Sequence, residues 1–84
     1  MPWSPNIYGS IPAEDAGAVT PSDSTNLTSI ARSLYVGTAG NVTLLTVGQN
    51  VVTFSNVQSG TILPVRVIRV NATSTTATNI VALY

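Results

Sequence analysis

Six charged side chains hold most of the chemistry that this sequence offers. The acids are Glu14, Asp15 and Asp23, and the bases are Arg32, Arg66 and Arg69. The chain has no histidine, cysteine or lysine. A serine nucleophile would therefore lack the usual base to activate it, and acid–base catalysis by Glu14 and Asp15 would need a pocket that a proline-rich segment does not build. These residue types favour a protein that makes contacts over an enzyme.

Sites for metals and cofactors find no support in the sequence either. Without cysteine or histidine, the usual zinc ligands are missing. A calcium or magnesium site at Asp23 would need more oxygen ligands than three acids supply. The glycine-rich motifs of phosphate and dinucleotide binding are also absent. We therefore predict no catalytic residue, no metal and no cofactor.

The charges are segregated along the chain. All three acids precede Arg32, no acid follows it, and the net charge is zero. A neutral chain gives no reason to expect a nucleic acid or an anionic membrane as partner. The separation predicts that an acidic segment lies over a basic body, its own or a neighbour's. Each surface ion pair contributes less than ~1 kcal/mol, so this is a prediction about register.

Two of the arginines lie in the stretch that we expect to organise the fold, residues 61–71 (TILPVRVIRVN). Its β-branched residues favour a strand, but strict alternation would put one arginine on each face. A bulge at Val67 and Ile68 would turn the aliphatic side chains inward and Arg66 and Arg69 outward. Alternatively, both faces are covered, one of them by a neighbouring subunit.

Short β-type runs separated by turns fill the rest of the chain after residue 30. The predicted strands are residues 32–36, 42–47, 51–55, 61–71 and 79–84. Turns at residues 37–40 and 48–50 would make two successive hairpins, with inward side chains at Leu34, Val36, Val52 and Phe54. This spacing is typical of an all-β fold, a small antiparallel β-sandwich or barrel of five to six short strands.

Residues 1–29 are predicted to form an extended N-terminal arm, and residues 30–84 the β-sandwich body. The arm holds four of the five prolines, which block regular pairing. Trp3 and Tyr8 are its candidate anchors, either on the edge of the domain's own core or on a neighbour or larger platform. A single helical turn is possible at residues 13–18, and Asp23 and Asn26 are expected to bond their own backbone in Asx turns.

The size of the chain points to partners. A domain of 84 residues buries a small share of its surface, and without cysteine it has no disulfide to compensate. Charged residues make up only 7% of the chain, which suits surfaces that are buried in an assembly. We therefore predict a homo-oligomer.

Three segments, ARSLYVGTAGNVTLL, VTFSNVQSGTILPVRVIRV and TTATNIVALY, resemble the head spike base proteins of gene-transfer-agent particles and related tailed-phage capsids. The resemblance covers residues 30–84. Its most specific parts are residues 60–67 and 75–84, supported by LYVG at residues 34–37. Residues 1–29 match less clearly.

The resemblance implies a non-enzymatic structural virion protein on the outer surface of the capsid. Such proteins form a ring at a vertex, here a pentamer, that contacts the major capsid protein and anchors a head spike or fibre protein. A ring uses two different faces of each subunit. Arg66 and Arg69 are the candidates for one face, unless they are simply solvated, and Tyr35 and Tyr84 are the candidates for the other.

Two other functions fit the same residues. A capsid decoration or cement protein would clamp neighbouring capsomers without carrying a fibre. A carbohydrate-binding β-sandwich module would stack sugar rings on Trp3, Tyr8 or Tyr35.

Overall fold

Seven strands in two antiparallel sheets make up the fold in the computed structural model, which describes residues 13–84. The strands are β1 (Ala16–Ala18), β2 (Ser33–Thr38), β3 (Gly40–Thr46), β4 (Val51–Val57), β5 (Thr61–Leu63), β6 (Val67–Val70) and β7 (Thr78–Leu83). Sheet A has the order β1–β7–β2–β5, and sheet B has the order β4–β3–β6. The predicted small antiparallel β-sandwich is confirmed, with seven strands instead of five to six. No helix within residues 13–84 is long and apolar enough to cross a membrane.

The core lies between the two sheets and consists of aliphatic side chains. Sheet A contributes Leu34, Val36, Leu63, Ile80 and Ala82, and sheet B contributes Val42, Leu44, Val57, Val67 and Val70. In β2 and β7 the buried residues alternate with exposed or half-buried ones, as period-two side-chain geometry requires. Burial of each larger aliphatic side chain is worth about 1.5–3 kcal/mol.

The stretch 61–71 is not one strand, contrary to our prediction. It forms β5 in sheet A and β6 in sheet B, with Pro64 between them. Proline has no N–H to donate and interrupts a ladder. The Val65 N–H instead donates to the Leu63 carbonyl oxygen at 2.9 Å in a tight turn. The chain thus changes sheets at this proline.

The irregular pattern of β6 is a bulge, as one of our two interpretations had it. Leu45 of β3 lies opposite Arg69, but the next residue, Thr46, lies opposite Val67, so β6 carries an extra residue at this point. Val67 and Val70 are therefore both buried although they are three residues apart. Arg66 is exposed, and Arg69 is half-buried.

The predicted hairpin at residues 37–40 is wrong. β2 pairs with β5 and β7, and β3 pairs with β4 and β6, so the chain crosses from sheet A to sheet B here. The two glycines serve close backbone packing. A Cβ at Gly40 would lie 2.5 Å from the Ala77 backbone nitrogen, and one at Gly37 would lie 2.7 Å from the Asn79 carbonyl oxygen.

The second hairpin is confirmed, between β3 and β4. The Thr46 N–H donates to the Asn50 carbonyl oxygen at 2.9 Å, and Gln49 has a positive φ of 70°. Phe54 packs against the core as predicted. Val52 does not, because it is 38% exposed on the edge strand of sheet B.

The described part of the arm, residues 13–29, packs on the sandwich. The helical turn predicted for residues 13–18 is wrong, because Ala16–Ala18 pairs with β7 as an edge strand. Residues 19–31, which we name the strap, follow β6. The Ser22 and Leu27 N–H groups donate to the carbonyl oxygens of Val70 and Ile68, each at 2.9 Å. Val19 and Leu27 also pack against the core.

Candidate interaction surfaces

Tyr35 lies in a row of uncharged side chains that crosses the outer face of sheet A. The strand register places Ala18 opposite Val81, Val81 opposite Tyr35, and Tyr35 opposite Ile62. Tyr35 is 37% exposed and Ile62 is 54% exposed. Residues directly opposite each other in antiparallel strands share a face, so these four side chains form a continuous surface.

A second row extends this surface. Ala16 lies opposite Leu83, and Leu83 opposite Ser33. We name the whole surface the four-stranded face and define it by Ala16, Ala18, Tyr35, Ile62, Val81 and Leu83. None of its members carries a charge. The two exposed acids Glu14 and Asp15 immediately precede β1 at its rim.

Tyr84 does not lie on the four-stranded face. It is half-buried and packs against the core, on the side of β7 that holds Ile80 and Ala82. Its backbone is fixed by Asp15, whose carbonyl oxygen accepts a hydrogen bond of 2.8 Å from the Tyr84 N–H. The structure therefore does not bring together Tyr35 and Tyr84, which the sequence analysis assigned to one contact face.

Arg69 has intramolecular partners. Its Nε donates to Asn71 Oδ1 at 2.8 Å, and its Nη1 donates to Asn26 Oδ1 at 3.3 Å. The Asx turn predicted for Asn26 is thus wrong, because its side-chain oxygen accepts from an arginine 43 residues away. Arg69 ties the strap to the outer face of sheet B.

Arg66 differs from Arg69 in its surroundings. Its side chain is exposed, and its carbonyl oxygen accepts from the Val47 N–H at 3.2 Å. Arg66 therefore stands beside the turn that joins β3 to β4. Of the two arginines predicted for one contact face, Arg66 is the one whose guanidinium is presented to solvent.

Asp23 is the acid that the fold uses. Its Oδ1 accepts from the Thr73 N–H at 2.9 Å, and its Oδ2 accepts from the Thr73 hydroxyl at 2.7 Å. The Thr73 hydroxyl and, after it, the Thr73 N–H hold the pKa of Asp23 below its usual value, with a further contribution from the positive charge of Arg69. The Asx turn predicted for Asp23 is wrong, because its carboxylate crosses to another loop. The acid of this segment is thus held by a threonine, and the charge of Arg69 is the smallest of the causes that act on it.

Sheet B presents the longest open strand edge in the described chain. β1 and β5 have three residues each, and the strap covers the open side of β6. β4 has seven residues, none of them charged and none proline. Val51 is 59% exposed and Val52 38% exposed on β4, and nearby Val47 is 41% exposed. We name Val47, Val51, Val52 and the outer backbone of β4 the β4 edge.

The other predicted sites are placed as follows. Trp3 and Tyr8 lie outside the described residues. Within residues 13–84, no three acidic, histidine or cysteine side chains come together in a group that would hold a metal ion. Two clefts flank the strap, of about 320 Å³ and 410 Å³. The larger one lies between β1 and the strap, with Asp15 and Tyr84 in its wall.

The sequence analysis missed Ile62 and Val51, the two most exposed large apolar side chains of these surfaces. The sequence held a signal for both residues, because neighbouring residues of a strand point to opposite faces. An inward Leu63 therefore turns Ile62 outward, and Val51 and Val52 cannot both be buried. The partnership of Asp23 with Thr73 left no local signal, because the two residues are 50 positions apart.

The chain was compared with known protein families, curated proteins and solved structures. No family model and no curated protein matches the chain. A solved structure does match, and it is described as the capsid of a native GTA particle computed with C5 symmetry. The two chains are 37% identical with a TM-score of 0.79, and the match covers 98% of this chain and 100% of that one. The chain therefore belongs to the family of this GTA capsid protein.

Proposed function

We propose that the protein is a structural component of a virion-type particle and forms part of its capsid. The observation that carries this proposal is the match to the GTA capsid chain, which extends over nearly the whole of both chains. A sandwich that agrees from end to end supports a shared role more strongly than agreement in one motif. A capsid relative also favours a structural role over an enzymatic one.

More specifically, the protein is an oligomeric base on the outer surface of the capsid, where it anchors a head spike or fibre. The five-fold symmetry applied to the related particle supports a pentamer at a vertex. The charge-poor composition and the two open apolar surfaces support an assembly of copies. The major capsid protein and a spike or fibre protein are its other partners.

Residues 1–29 act as the arm that contacts the shell. Their described part, residues 13–29, packs on the sandwich and is held there by Asp23 and by the bonds of the strap. Trp3 and Tyr8 supply the aromatic contact with the major capsid protein, since aromatic residues carry much of the energy at interfaces. The sandwich then stands above the shell and presents a surface to the spike.

Electron microscopy of reconstituted particles tests this function. Particles that lack the protein are incubated with the purified chain, and the added density is located. We expect added density only on the outer surface at five-fold vertices. A chain without residues 1–12 tests the role of the arm. It should stay folded and bind the shell at least tenfold more weakly than the intact chain.

Added density at any other location would contradict the proposed role as an oligomeric base at the vertices. Density over all capsomers would favour the cement role, and density inside the shell would rule out the outer surface. No binding to the particle by the intact chain would remove the capsid role itself.

A further inference from the structure

The open side of β4 carries a row of backbone groups that point away from the sandwich. Within residues 13–84, β4 pairs with β3 alone. The Thr46 N–H donates to the Asn50 carbonyl oxygen, which makes these two residues a hydrogen-bonded pair. Hydrogen-bonded and open pairs alternate along an antiparallel ladder. Counted from this pair, the register turns the N–H and C=O groups of every second residue of β4 away from β3. These residues are Val51, Thr53 and Ser55.

The other edges of the described sheets are protected, whereas the edge of β4 is not. Proteins protect edge strands by shortness, by charges or proline, or by a covering segment. β1 and β5 have three residues each. The Ala16 N–H of β1 donates to the carboxylate of Asp15 at 2.8 Å, Pro64 follows β5, and the strap covers β6. β4 has seven residues, with no charge and no proline. It is therefore the edge that still offers a full row of hydrogen bonds.

The strand that matches this edge best is β4 of a second copy. A partner strand has to reach Val51, Thr53 and Ser55 together, and β4 is the only strand with an open edge in residues 13–84 that is long enough. In an antiparallel pair with a two-fold axis at Thr53, Thr53 lies opposite Thr53 and Val51 lies opposite Ser55. Every outward N–H then meets an outward C=O of the other copy. A shift of this register leaves some of these groups unpaired.

The same register covers the apolar side chains that stay open along β4. Val52 and Phe54 point to the core side, because they lie opposite the fully buried Leu44 and Val42. Val52 is nevertheless 38% exposed, and Phe54 is half-buried. In the pair, Val52 of each copy lies opposite Phe54 of the other, at the positions where the side chains of antiparallel strands come closest. Residues 33–65 carry no charge, so the paired strands bring no like charges together.

We propose that two copies of the free protein pair edge to edge through β4 and join their three-stranded sheets into one continuous sheet. The contact is isologous, because each copy contributes the same strand. A five-fold ring has no two-fold axis, so this pair goes beyond the proposed base at the vertex and belongs to the protein before it meets the capsid. An edge that is paired in this way cannot add strands of other proteins, which is the hazard of a long uncharged edge.

Single cysteines test the pair and its register, because the natural chain has no cysteine. Thr53→Cys places two cysteines opposite each other across the two-fold axis, at a Cα separation that a disulfide can bridge. Under mild oxidation of the full-length chain, we expect a disulfide-linked dimer to form at least tenfold faster than with Thr28→Cys. Thr28 is the matched control, since it is an exposed threonine on the strap. Val51→Cys and Ser55→Cys should each form few links alone, and an equal mixture of the two should form linked heterodimers.

Loss of an edge hydrogen bond tests the contact without any cysteine. Thr53→Pro removes an N–H that points away from β3, and proline is tolerated at such positions of an edge strand. Native mass spectrometry of the wild-type chain should show a dimer, and Thr53→Pro should associate at least tenfold more weakly. Circular dichroism checks that the variant is folded. If it is not, Val51→Asp, which places a charge on the edge, replaces it with the same expectation.

Three results would overturn the proposal. They are a wild-type chain that stays monomeric at about 100 µM, a ring of five copies in free solution, and a Thr53→Cys variant that links no faster than Thr28→Cys. Efficient linking of Val51→Cys alone would overturn the register. The capsid-binding experiment is separate from all of these. A chain that binds particles without forming the pair would keep the capsid role and remove the β4 contact, and a dimer that binds no particle would do the reverse.

Discussion

At the scale of single residues, the contacts of Asp23 show how an exposed side chain fixes a loop. Both carboxylate oxygens bond Thr73, one to its N–H and one to its hydroxyl. Hydrogen bonds to a carboxylate favour its charged form, which is why the Thr73 hydroxyl and N–H lower the pKa of Asp23. The bond joins the strap to the loop between β6 and β7.

This lowered pKa makes the stability of the fold depend on pH. Because the folded-state pKa of Asp23 lies below its unfolded value of 3.8, its contribution is present above that value and is lost as the pH falls through the lower, folded-state pKa. We expect the melting temperature to fall with pH in this acid range, and more steeply for the wild type than for Asp23→Asn. Thermal melts of both proteins across the range measure the difference. Equal slopes would show that the Thr73 contacts do not stabilise the charged form.

Gly40 is a second residue with a specific role, since its missing Cβ makes room for the backbone of Ala77. Gly40→Ala should therefore force β3 and the loop before β7 apart, with a loss of about 1–3 kcal/mol in the free energy of unfolding. Gly48→Ala is the matched control, because its nearest neighbour would be 3.7 Å away, and its effect should stay within about 0.5 kcal/mol. Urea denaturation measures both. Equal effects of the two substitutions would contradict the packing argument.

At the scale of elements, the sequence was informative about faces and poor about pairing. Alternation correctly assigned the inward residues of β2, and the arginine spacing of residues 66–69 gave a bulge as one of two interpretations. Side-chain alternation is a local property and can be read from one strand. The partner of a strand depends on contacts far apart in sequence, so the crossover at residues 37–40 looked like a hairpin. Pro64 was the one local signal that the stretch 61–71 divides.

The candidate surfaces show the same contrast between what one strand reveals and what depends on strand pairing. Tyr35 alternates with the inward residues Leu34 and Val36, but the row that joins it to Ile62 and Val81 exists only through the pairing of three strands. Arg66 and Arg69 were expected to act together. The network that separates them depends on Asn26, which the strap brings across β6.

The strap itself gives a prediction at this scale. Arg69 holds Asn26, so Arg69→Met should loosen the strap and expose the bond between the Leu27 N–H and the Ile68 carbonyl oxygen. A loss of about 1 kcal/mol would speed hydrogen exchange of the Leu27 amide about fivefold. Arg66→Met is the matched control, because Arg66 is exposed and is not part of this network. Hydrogen exchange followed by mass spectrometry compares the two. Equal protection of Leu27 in both variants would show that backbone bonds alone hold the strap.

At the scale of the whole molecule, the sandwich has only a small hydrophobic core. The largest fully buried side chains are aliphatic, and the aromatic side chains Tyr35, Phe54 and Tyr84 keep part of their surface in water. A small domain with a core of this kind is only marginally stable by itself. The surfaces that would strengthen the core by burial are the ones left open, which links the stability of each subunit to its neighbours.

That link predicts a melting temperature that rises with protein concentration. Anything that binds the folded state but not the unfolded state stabilises it by mass action, and neighbouring copies are such ligands. Over a range of about 1 to 100 µM, differential scanning calorimetry of the wild type should show a rising midpoint, while Val51→Asp should show a nearly constant and lower one. The comparison separates assembly from an effect of the substitution on the isolated fold, because Val51 is 59% exposed and contributes little to the core. A wild-type midpoint that does not change with concentration would mean that the sandwich is stable without its neighbours.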